Sequence, residues 1–290
     1  MAAPTTGMGR LGVRGWHLLV LLLALVAAGC AGGDAAEDGS PPEGSPSDSG
    51  AAGGELGLLE PGRLVVGSDL AFAPFEFIED GQNRGFDVDL INAIAEGLGL
   101  EVEIVNTSFD TIFTQLGGGQ FDAVISAVTI TDERDQTIDF SQPYFQANQA
   151  LAVPQGSDIP GVADLGGRAI GVQAGTTGLE YANATFAETT IVEFPTSEAA
   201  FGALAAGQIE AVFIDIPVVQ ERVDSGDDVA IAEEIDTDEL YGIGVQEGNS
   251  ALQEAINAEL QELIDDGTYA EIFSTWFPDA QVPEEFAPTG

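Results

Sequence analysis

The sequence predicts an α/β protein that is built from two similar lobes. Two observations support this: strand-like segments alternate with segments of helical periodicity after Leu64, and one such unit occurs twice. "DTIFTQLGGGQFDAVIS" at 110–126 aligns without gaps on "EAAFGALAAGQIEAVFI" at 198–214. Each copy is typical of a helix that ends at a glycine and leads into a strand rich in β-branched residues. The copies lie too far apart for a solenoid period, so they favour two lobes over a chance likeness between helix-to-strand junctions.

The N-terminus has the pattern of an export signal. Arg10 and Arg14 precede the apolar run "WHLLVLLLALVAA", and "GC" follows with Cys30, the only cysteine of the chain. A basic start, a short apolar run and small residues predict a signal peptide over 1–30, and the run is shorter than the ~20 apolar residues that span a bilayer. The "AAGC" sequence is similar to a bacterial lipobox, which predicts a lipid on Cys30. The alternative is a cysteine that merely ends the signal.

The composition of the next segment and the net charge of the chain limit the classes of partner that this protein can bind. Residues 31–62 are rich in Gly, Ala, Ser, Pro and acidic residues without apolar periodicity, which predicts a flexible linker. The chain contains no lysine and has a formal net charge of −42. This charge argues against binding to nucleic acid or to an anionic membrane surface. It also suits a surface that stays hydrated at high salt, so a halophilic adaptation is one hypothesis.

The first elements of the folded region follow in order. "RLVVGSD" predicts a short buried strand that ends in polar residues. "GFDVDLINAIAEGLGL" has the apolar spacing of a helix face, and "EVEIVN" predicts the next strand. Asp87 and Asp89 lie at the start of this helix, where we expect them to satisfy free backbone amides rather than to bind a metal.

The two repeated strands predict where a ligand binds. Ligands of parallel α/β sheets bind at the carboxyl ends of the strands. Ala127, Thr129 and then Arg134 follow the first repeated strand, and Asp215 follows the second. One lobe would offer a cation and a hydroxyl while the other offers a carboxylate. A small zwitterion between the lobes would satisfy both.

Six segments extend this reading to nearly the whole folded chain. In order they are "LVVGSDLAFAPFEF", "GFDVDLINAIA", "VTITDERDQTIDFSQPY", "GVQAGTTGLEYA", "AVFIDIPV" and "DGTYAEIFSTWF". Over about residues 63–277 the sequence resembles the extracellular solute-binding proteins of polar amino-acid ABC importers, bacterial solute-binding protein family 3. The resemblance implies the type II fold of periplasmic binding proteins, in which two α/β lobes close over one amino acid about two hinge crossings. The implied ranges are 63–143 plus 242–277 for lobe 1, 149–236 for lobe 2, 144–148 and 237–241 for the crossings, and 278–290 for a C-terminal tail.

The resemblance also implies how the two ends of an amino-acid backbone are held. Arg134 would bind the α-carboxylate, for which a planar and permanently charged guanidinium is suited. Thr129 would assist it through its hydroxyl and its amide, and Thr177 through its amide. Asp215 would accept from the α-ammonium together with the carbonyl of Ala127 and with Thr129. The alternatives are a surface ion pair for Arg134 and a helix cap for Asp215.

By the same resemblance, Asp69, Phe72 and Phe109 would line the side-chain pocket, and core packing is the alternative for the phenylalanines. Glutamine binders of the family tend to carry a lysine where Gln173 stands and a histidine where Ile214 stands. Without these cations the pocket is more negative, and Phe72 could stack on a guanidinium. A cationic amino acid, arginine or lysine, is therefore expected first, and glutamine or another polar amino acid second.

Catalysis is not expected. The single histidine, His17, would leave with the signal peptide, and the sequence has no serine elbow, phosphate-binding loop or Cys/His cluster. We therefore expect no cofactor and no metal, although a dehydratase-like enzyme on the same fold is an alternative. A sensor module is disfavoured because no membrane-spanning segment follows Phe277. We expect a monomer. Its expected partners are a free amino acid, a permease with its ATPase, and the bacterial membrane through the lipid anchor, at the cell surface or in the periplasm.

Overall fold

The computed structural model describes residues 56–288. The predicted signal peptide, the lipidation site at Cys30 and most of the predicted linker lie outside the described residues. Within residues 56–288, none of the helices combines the length and the apolarity that a bilayer crossing requires.

Strands and helices alternate along the described chain, which confirms the predicted α/β class. The strands are β1 (Arg63–Ser68), β2 (Ala71–Phe72), β3 (Glu76–Glu79), β4 (Gln82–Arg84), β5 (Glu101–Asn106), β6 (Ala123–Val124), β7 (Ile138–Phe140), β8 (Phe145–Pro154), β9 (Ala169–Gln173), β10 (Thr190–Phe194), β11 (Ala211–Asp215), β12 (Val229–Tyr241) and β13 (Gly244–Gln246). The helices are α1 (Phe86–Gly97), α2 (Phe109–Gly117), α3 (Thr177–Thr185), α4 (Ser197–Ala205), α5 (Ile216–Asp224), α6 (Ser250–Asp266) and α7 (Thr268–Trp276).

Two five-stranded sheets organise these elements into two lobes of the same plan. The first sheet has the order β5-β1-β6-β13-β7, and the second has the order β10-β9-β11-β8-β12. In each sheet the first three strands are parallel and the fourth is antiparallel to the third. We call the first sheet with α1, α2, α6 and α7 the first lobe, and the second sheet with α3, α4 and α5 the second lobe. A short antiparallel sheet, β2-β3-β4, is attached to the first lobe.

The sequence repeat corresponds to a repeated piece of structure. Gly119 and Gly207 follow α2 and α4 with φ of 72° and 66°, a conformation that glycine adopts without strain. The acidic residue of each copy then accepts from the first residues of the neighbouring strand. Asp122 Oδ2 accepts from the Val65 amide at 2.8 Å, and Glu210 Oε2 accepts from the Ala169 amide at 2.7 Å. The repeat therefore fixes how each of β6 and β11 is placed in its parallel sheet.

Two long antiparallel strands, β8 and β12, connect the lobes. They pair from Phe145 opposite Tyr241 to Pro154 opposite Val229, with an irregular register between Ile235 and Glu239. Aromatic rings of the first lobe pack on their first-lobe end, where Phe75 meets Phe145 at 5.0 Å between centroids. The chain thus passes from one lobe to the other through two adjacent strands.

Two carboxylates near the start of α1 differ from the expectation. Asp87 and Asp89 lie in the first turn, but no side chain caps this helix. Asp87 Oδ2 instead accepts from the Ala127 amide at 2.8 Å and the Tyr144 hydroxyl at 2.9 Å, while Asp89 accepts from the Trp276 indole. Long-range partners therefore replace the local ones that the sequence predicted.

Candidate functional site

A cavity lies between the lobes, at the carboxyl ends of β1, β6, β9 and β11. The structure brings together all nine side chains that the sequence singled out for ligand binding. They are Asp69, Phe72, Phe109, Ala127, Thr129, Arg134, Gln173, Thr177 and Asp215, and the lining also includes Glu76, Ser126 and Thr176.

Arg134 has an environment unlike that of the other described arginines. The others each lie within 4.0 Å of a carboxylate: Arg63, Arg84, Arg168 and Arg222. Arg134 is 9% exposed, and no carboxylate of the described residues lies within that distance of it. Its guanidinium donates to the carbonyls of Thr129 at 2.7 Å and Gly175 at 3.1 Å. These neutral partners hold the side chain in place and leave its charge without a direct counter-ion.

The position of Arg134 depends on a close approach of the second lobe. Gly175 has φ of 78°, and a Cβ on it would lie 2.9 Å from the Cα of Asp110 in α2. A side chain at this position would therefore push the lobes apart. Two residues further on, α3 begins at Thr177, so the unpaired amides of a helix start face the same cavity as Arg134.

Asp215 lies at the end of β11 and is buried. Its Oδ1 accepts from Gln149 Nε2 at 3.1 Å and from the Tyr241 hydroxyl at 2.5 Å. Burial, followed by repulsion from Glu239, raises the pKa of Asp215 to about 7. Although Asp215 precedes α5, its side chain makes no capping hydrogen bond to that helix, so the helix-cap alternative does not apply.

Thr129, Thr177 and Ala127 contribute polar groups beside these charges. The hydroxyls of Thr129 and Thr177, one from each lobe, lie 3.4 Å apart. Ala127 has φ of 45°, a conformation that non-glycine residues rarely adopt, and Asp87 holds its amide. This conformation sets the direction of the backbone where the strand β6 ends and the cavity begins.

Asp69 and Gln173 meet across the cavity. Gln173 Nε2 donates to Asp69 Oδ2 at 2.8 Å, and both side chains are buried. Burial raises the pKa of Asp69 to about 6, against the lowering effect of that hydrogen bond. The Gln173 carbonyl oxygen is buried, and none of the described residues forms a hydrogen bond with it. The pair therefore presents one carboxylate and one unused acceptor, which suits a ligand group with several donors.

Phe72 and Phe109 form apolar walls. Both are 7% exposed and line the cavity, and both also pack in the core, Phe72 against Phe75 and Phe109 against Phe113. The Phe109 ring lies 5.5 Å from the guanidinium carbon of Arg134. The two readings of these residues, core packing and pocket wall, are compatible.

Besides Ser126 and Thr176, the polar residues of the site that were not predicted are Glu76, Gln149 and Glu239. Glu76 lines the cavity and accepts from the Ser126 hydroxyl at 2.6 Å. Glu239 and Gln149 bind each other at 3.1 Å just behind Asp215 and the two threonines. All three lie in strands or at strand starts where the sequence indicates only an alternating pattern, so no local signal marks them. Within residues 56–288 these acidic groups form no cluster that could hold a metal ion.

Comparisons with known proteins agree with this geometry. Residues 64–279 match the bacterial extracellular solute-binding proteins, family 3. ABC transporter arginine-binding protein 1 of Escherichia coli is 35% identical over 224 residues, which are 74% of this chain and 91% of that protein. The glutamine-binding protein GlnH of Bacillus subtilis is 35% identical over 203 residues, 69% of this chain and 74% of that protein. The solved structure of an ancestral arginine-binding protein bound to arginine has a TM-score of 0.72 and 40% identity, over 74% of this chain and 98% of that one.

The two sequence relatives are amino-acid-binding proteins of ABC transporters and are not enzymes. This confirms the resemblance that the motifs indicated, the two-lobed fold and the prediction that the chain is a binding protein. The family match covers most of the described residues. The chain belongs to family 3 of the bacterial extracellular solute-binding proteins.

Proposed function

We propose that this chain is a lipid-anchored substrate-binding protein of an ABC importer that captures an L-amino acid with a cationic side chain, arginine or lysine. The observation that carries the proposal is Arg134, a buried guanidinium held by two carbonyls in the cavity, with no carboxylate of residues 56–288 in ion-pair distance. A buried charge of this kind is costly unless a counter-ion joins it. A ligand carboxylate would supply that counter-ion.

The backbone groups of an amino acid match the charges on the two sides of the cavity. Arg134 and the helix start at Thr177 favour an anion, while Asp215 favours a cation. Ala127 and Thr129 supply further acceptors between them. A zwitterion would therefore bind with its carboxylate towards Arg134 and its ammonium towards Asp215.

The far end of the cavity favours a side chain rich in hydrogen-bond donors. Asp69 and the unpartnered carbonyl of Gln173 both accept, and a guanidinium offers five donors in a planar fork. Phe72 could stack on the same plane. These features favour arginine, with lysine next.

Glutamine is the second candidate, because Asp69 would also accept from a neutral amide and a glutamine-binding protein is among the relatives. A dehydratase-like activity on the same fold has less support, since the relatives described above bind amino acids for transport.

Capture would occur by closure of the lobes about β8 and β12. The ligand would bind one lobe first, and closure would then bring the groups of the other lobe into contact and exclude water around both ion pairs. The closed surface would be recognised by the permease. Cys30 would carry the lipid, so a Cys30→Ser variant should leave the membrane fraction.

A thermal-shift panel of twenty amino acids, at low and high salt, tests the function. Ligands that bind the folded state raise the unfolding temperature by mass action, so arginine or lysine should give the largest shift. Arg134→Ala should abolish the shift, because the ligand carboxylate loses its counter-ion. Arg168→Ala, which removes a surface ion pair, is the matched control and should bind normally.

Two results would reject the proposal. Near-normal affinity of Arg134→Ala would remove this residue from its role. Glutamine binding that is at least tenfold tighter than arginine binding in calorimetry would reject the cationic ligand. The same panel at high salt tests the halophilic hypothesis, which expects greater stability there.

A further inference from the structure

Glu239 is a buried carboxylate that the proposed binding contacts do not use. It lies in β12 where this strand crosses between the lobes, directly after the irregular register that ends at Glu239. Asp238 beside it has φ of 50°. Glu239 is 7% exposed, whereas Glu234 on the same strand is exposed to solvent.

Each lobe gives one hydroxyl to the same oxygen of this carboxylate. Glu239 Oε2 accepts from Thr129 Oγ1 at 2.6 Å and from Thr177 Oγ1 at 3.0 Å. Each hydroxyl has a single hydrogen, and both hydrogens are used on Glu239. Towards the cavity the two threonine oxygens can therefore act only as acceptors, which fits a ligand ammonium.

The second carboxyl oxygen of Glu239 is linked to Asp215 through the side-chain amide of Gln149, which orients the Asp215 carboxyl group. Gln149 Nε2 donates at 3.1 Å to Glu239 Oε1 and at 3.1 Å to Asp215 Oδ1. A reversed amide would place its oxygen against two carboxyl groups, which favours the orientation in which Nε2 donates to both. The carbonyl oxygen of Gln149 is buried and has no hydrogen-bond partner among residues 56–288, so within this range only the two carboxyl groups hold the amide.

Separation of the lobes would break one of these contacts before the others. The backbone ties Glu239 to the first lobe, because the Ile130 amide donates to the Leu240 carbonyl at 2.8 Å and the Gly242 amide donates to the Val128 carbonyl at 2.9 Å. On the other side, α3 is held to Glu239 by the Thr177 hydroxyl. Opening of the lobes would therefore break the hydrogen bond between Thr177 and Glu239 first.

We propose that Glu239 is a positioning residue that joins lobe closure to ligand capture: it binds a hydroxyl from each lobe and orients Asp215 through Gln149. This inference rests on the proposed function for the identity of the ligand. The closure contact itself requires no ligand.

The affinity of Glu239→Gln for arginine tests the first half of the inference. Loss of a charged acceptor shared by three donors should weaken binding roughly tenfold or more, mainly through faster dissociation. Thr177→Val removes the opening-sensitive contact and one acceptor beside the ligand ammonium, keeps the link from Glu239 to Asp215, and should weaken binding less. The double variant should lose clearly less than the sum of the two single variants, because both changes affect the same contact. Glu234→Gln is the matched control and should bind normally.

Distances between the lobes test the second half without any amino acid. Spin labels at Asn83→Cys in β4 and Asn183→Cys in α3, in a full-length chain with Cys30→Ser, report lobe separation. Glu239→Gln and Thr177→Val should both increase the share of long distances, and Glu234→Gln should not.

Unchanged distances and unchanged affinity in Glu239→Gln would overturn the inference, and so would independent, additive effects of Glu239→Gln and Thr177→Val. If the wild-type protein bound none of the twenty amino acids, the proposed function would fail. The label distances would still decide the role of Glu239.

Discussion

At the scale of single residues, the contact between Asp69 and Gln173 explains how specificity could depend on one carboxylate. The two side chains meet across the cavity at 2.8 Å, and Asp69 is the acceptor. Asp110 lies close enough to affect the pKa of Asp69 but is itself exposed. Variants of Asp69 and of Asp110, made one at a time, can therefore separate the effect of direct contact with the ligand from the effect of a nearby charge.

Asp69→Asn should weaken arginine binding by roughly tenfold or more, because the guanidinium loses a charged acceptor. Glutamine binding should change little, since an asparagine carbonyl can still accept from an amide. Calorimetry with both ligands measures the ratio. Asp110→Asn is the control: an equal loss there would indicate a field effect and would remove Asp69 from side-chain recognition.

A second pair of carboxyl groups, those of Glu76 and Asp87, is buried at the cavity wall and holds part of its backbone in place. Glu76 and Asp87 are both fully buried, and one carboxyl oxygen of each has no hydrogen-bond partner among the described residues. Burial and repulsion from Asp87 raise the pKa of Glu76, and burial raises that of Asp87 to about 6. Two buried carboxyl groups that repel each other favour the neutral form of one of them, while Asp87 Oδ2 holds the amide of Ala127.

At the scale of elements, the repeated helix-to-strand unit gives two matched positions with unequal environments. Asp122 accepts from the Leu59 amide at 2.7 Å and the Val65 amide at 2.8 Å, and it is 2% exposed. Glu210 accepts from one amide, Ala169, and is exposed. Water can replace the acidic side chain at the second position more readily than at the first.

Asp122→Ala should therefore lower the free energy of unfolding by about 1–3 kcal/mol, the usual cost of leaving buried amides without an acceptor. Glu210→Ala should cost clearly less. Urea denaturation of both variants measures the difference. Equal costs would mean that burial does not distinguish the two copies of the unit.

The elements that sequence could predict are those with local signals. Glycines at the ends of α2 and α4 and the apolar faces of the helices depend on neighbours in the chain, so the α/β class and the repeat followed from the sequence. Arg134 and Asp215 follow the repeated strands in sequence, and the general rule for parallel sheets then predicts that both lie where a ligand binds.

The residues that sequence reasoning missed depend on distant partners. Glu239 binds Thr129, which lies 110 positions away in sequence. Within "IDTDELY" nothing distinguishes Glu239 from the exposed acidic residues next to it, because the irregular register of β12 decides which one turns inward. Asp87 was expected to serve its own helix, and only the folded chain brings Ala127 and Tyr144 to it.

At the scale of the whole molecule, the buried carboxyls connect stability to pH. Burial raises the pKa of Asp69 and Asp87 to about 6 and that of Asp215 to about 7 in the folded chain, whereas their ordinary value is 3.8. Between these values the folded state holds more protons than the unfolded state. Stability should therefore fall as the pH rises from about 4 to 7, and a pKa raised by one corresponds to about 1.4 kcal/mol.

The unfolding temperature without added amino acids should accordingly be higher at pH 5 than at pH 7.5. Mutual repulsion in a chain of net charge −42 acts in the same direction, but salt screens exposed charges more than buried ones. The difference should thus persist in 1 M salt. Asp215→Asn should reduce it, and Asp236→Asn, at an exposed position, should not. A difference that vanishes in salt would assign the effect to the surface.

The stabilising effect of a cationic ligand should have the opposite pH dependence. Arginine would bind the ionised forms of Asp69 and Asp215, so its stabilising effect should be larger at pH 7.5, where both are mostly charged, than at pH 5. Thermal shifts with saturating arginine at the two pH values measure this. Glutamine should show a smaller pH dependence, because it adds only its ammonium to Asp215 and no second cation to Asp69. Equal shifts for arginine at both pH values would indicate that neither carboxylate changes its charge on binding.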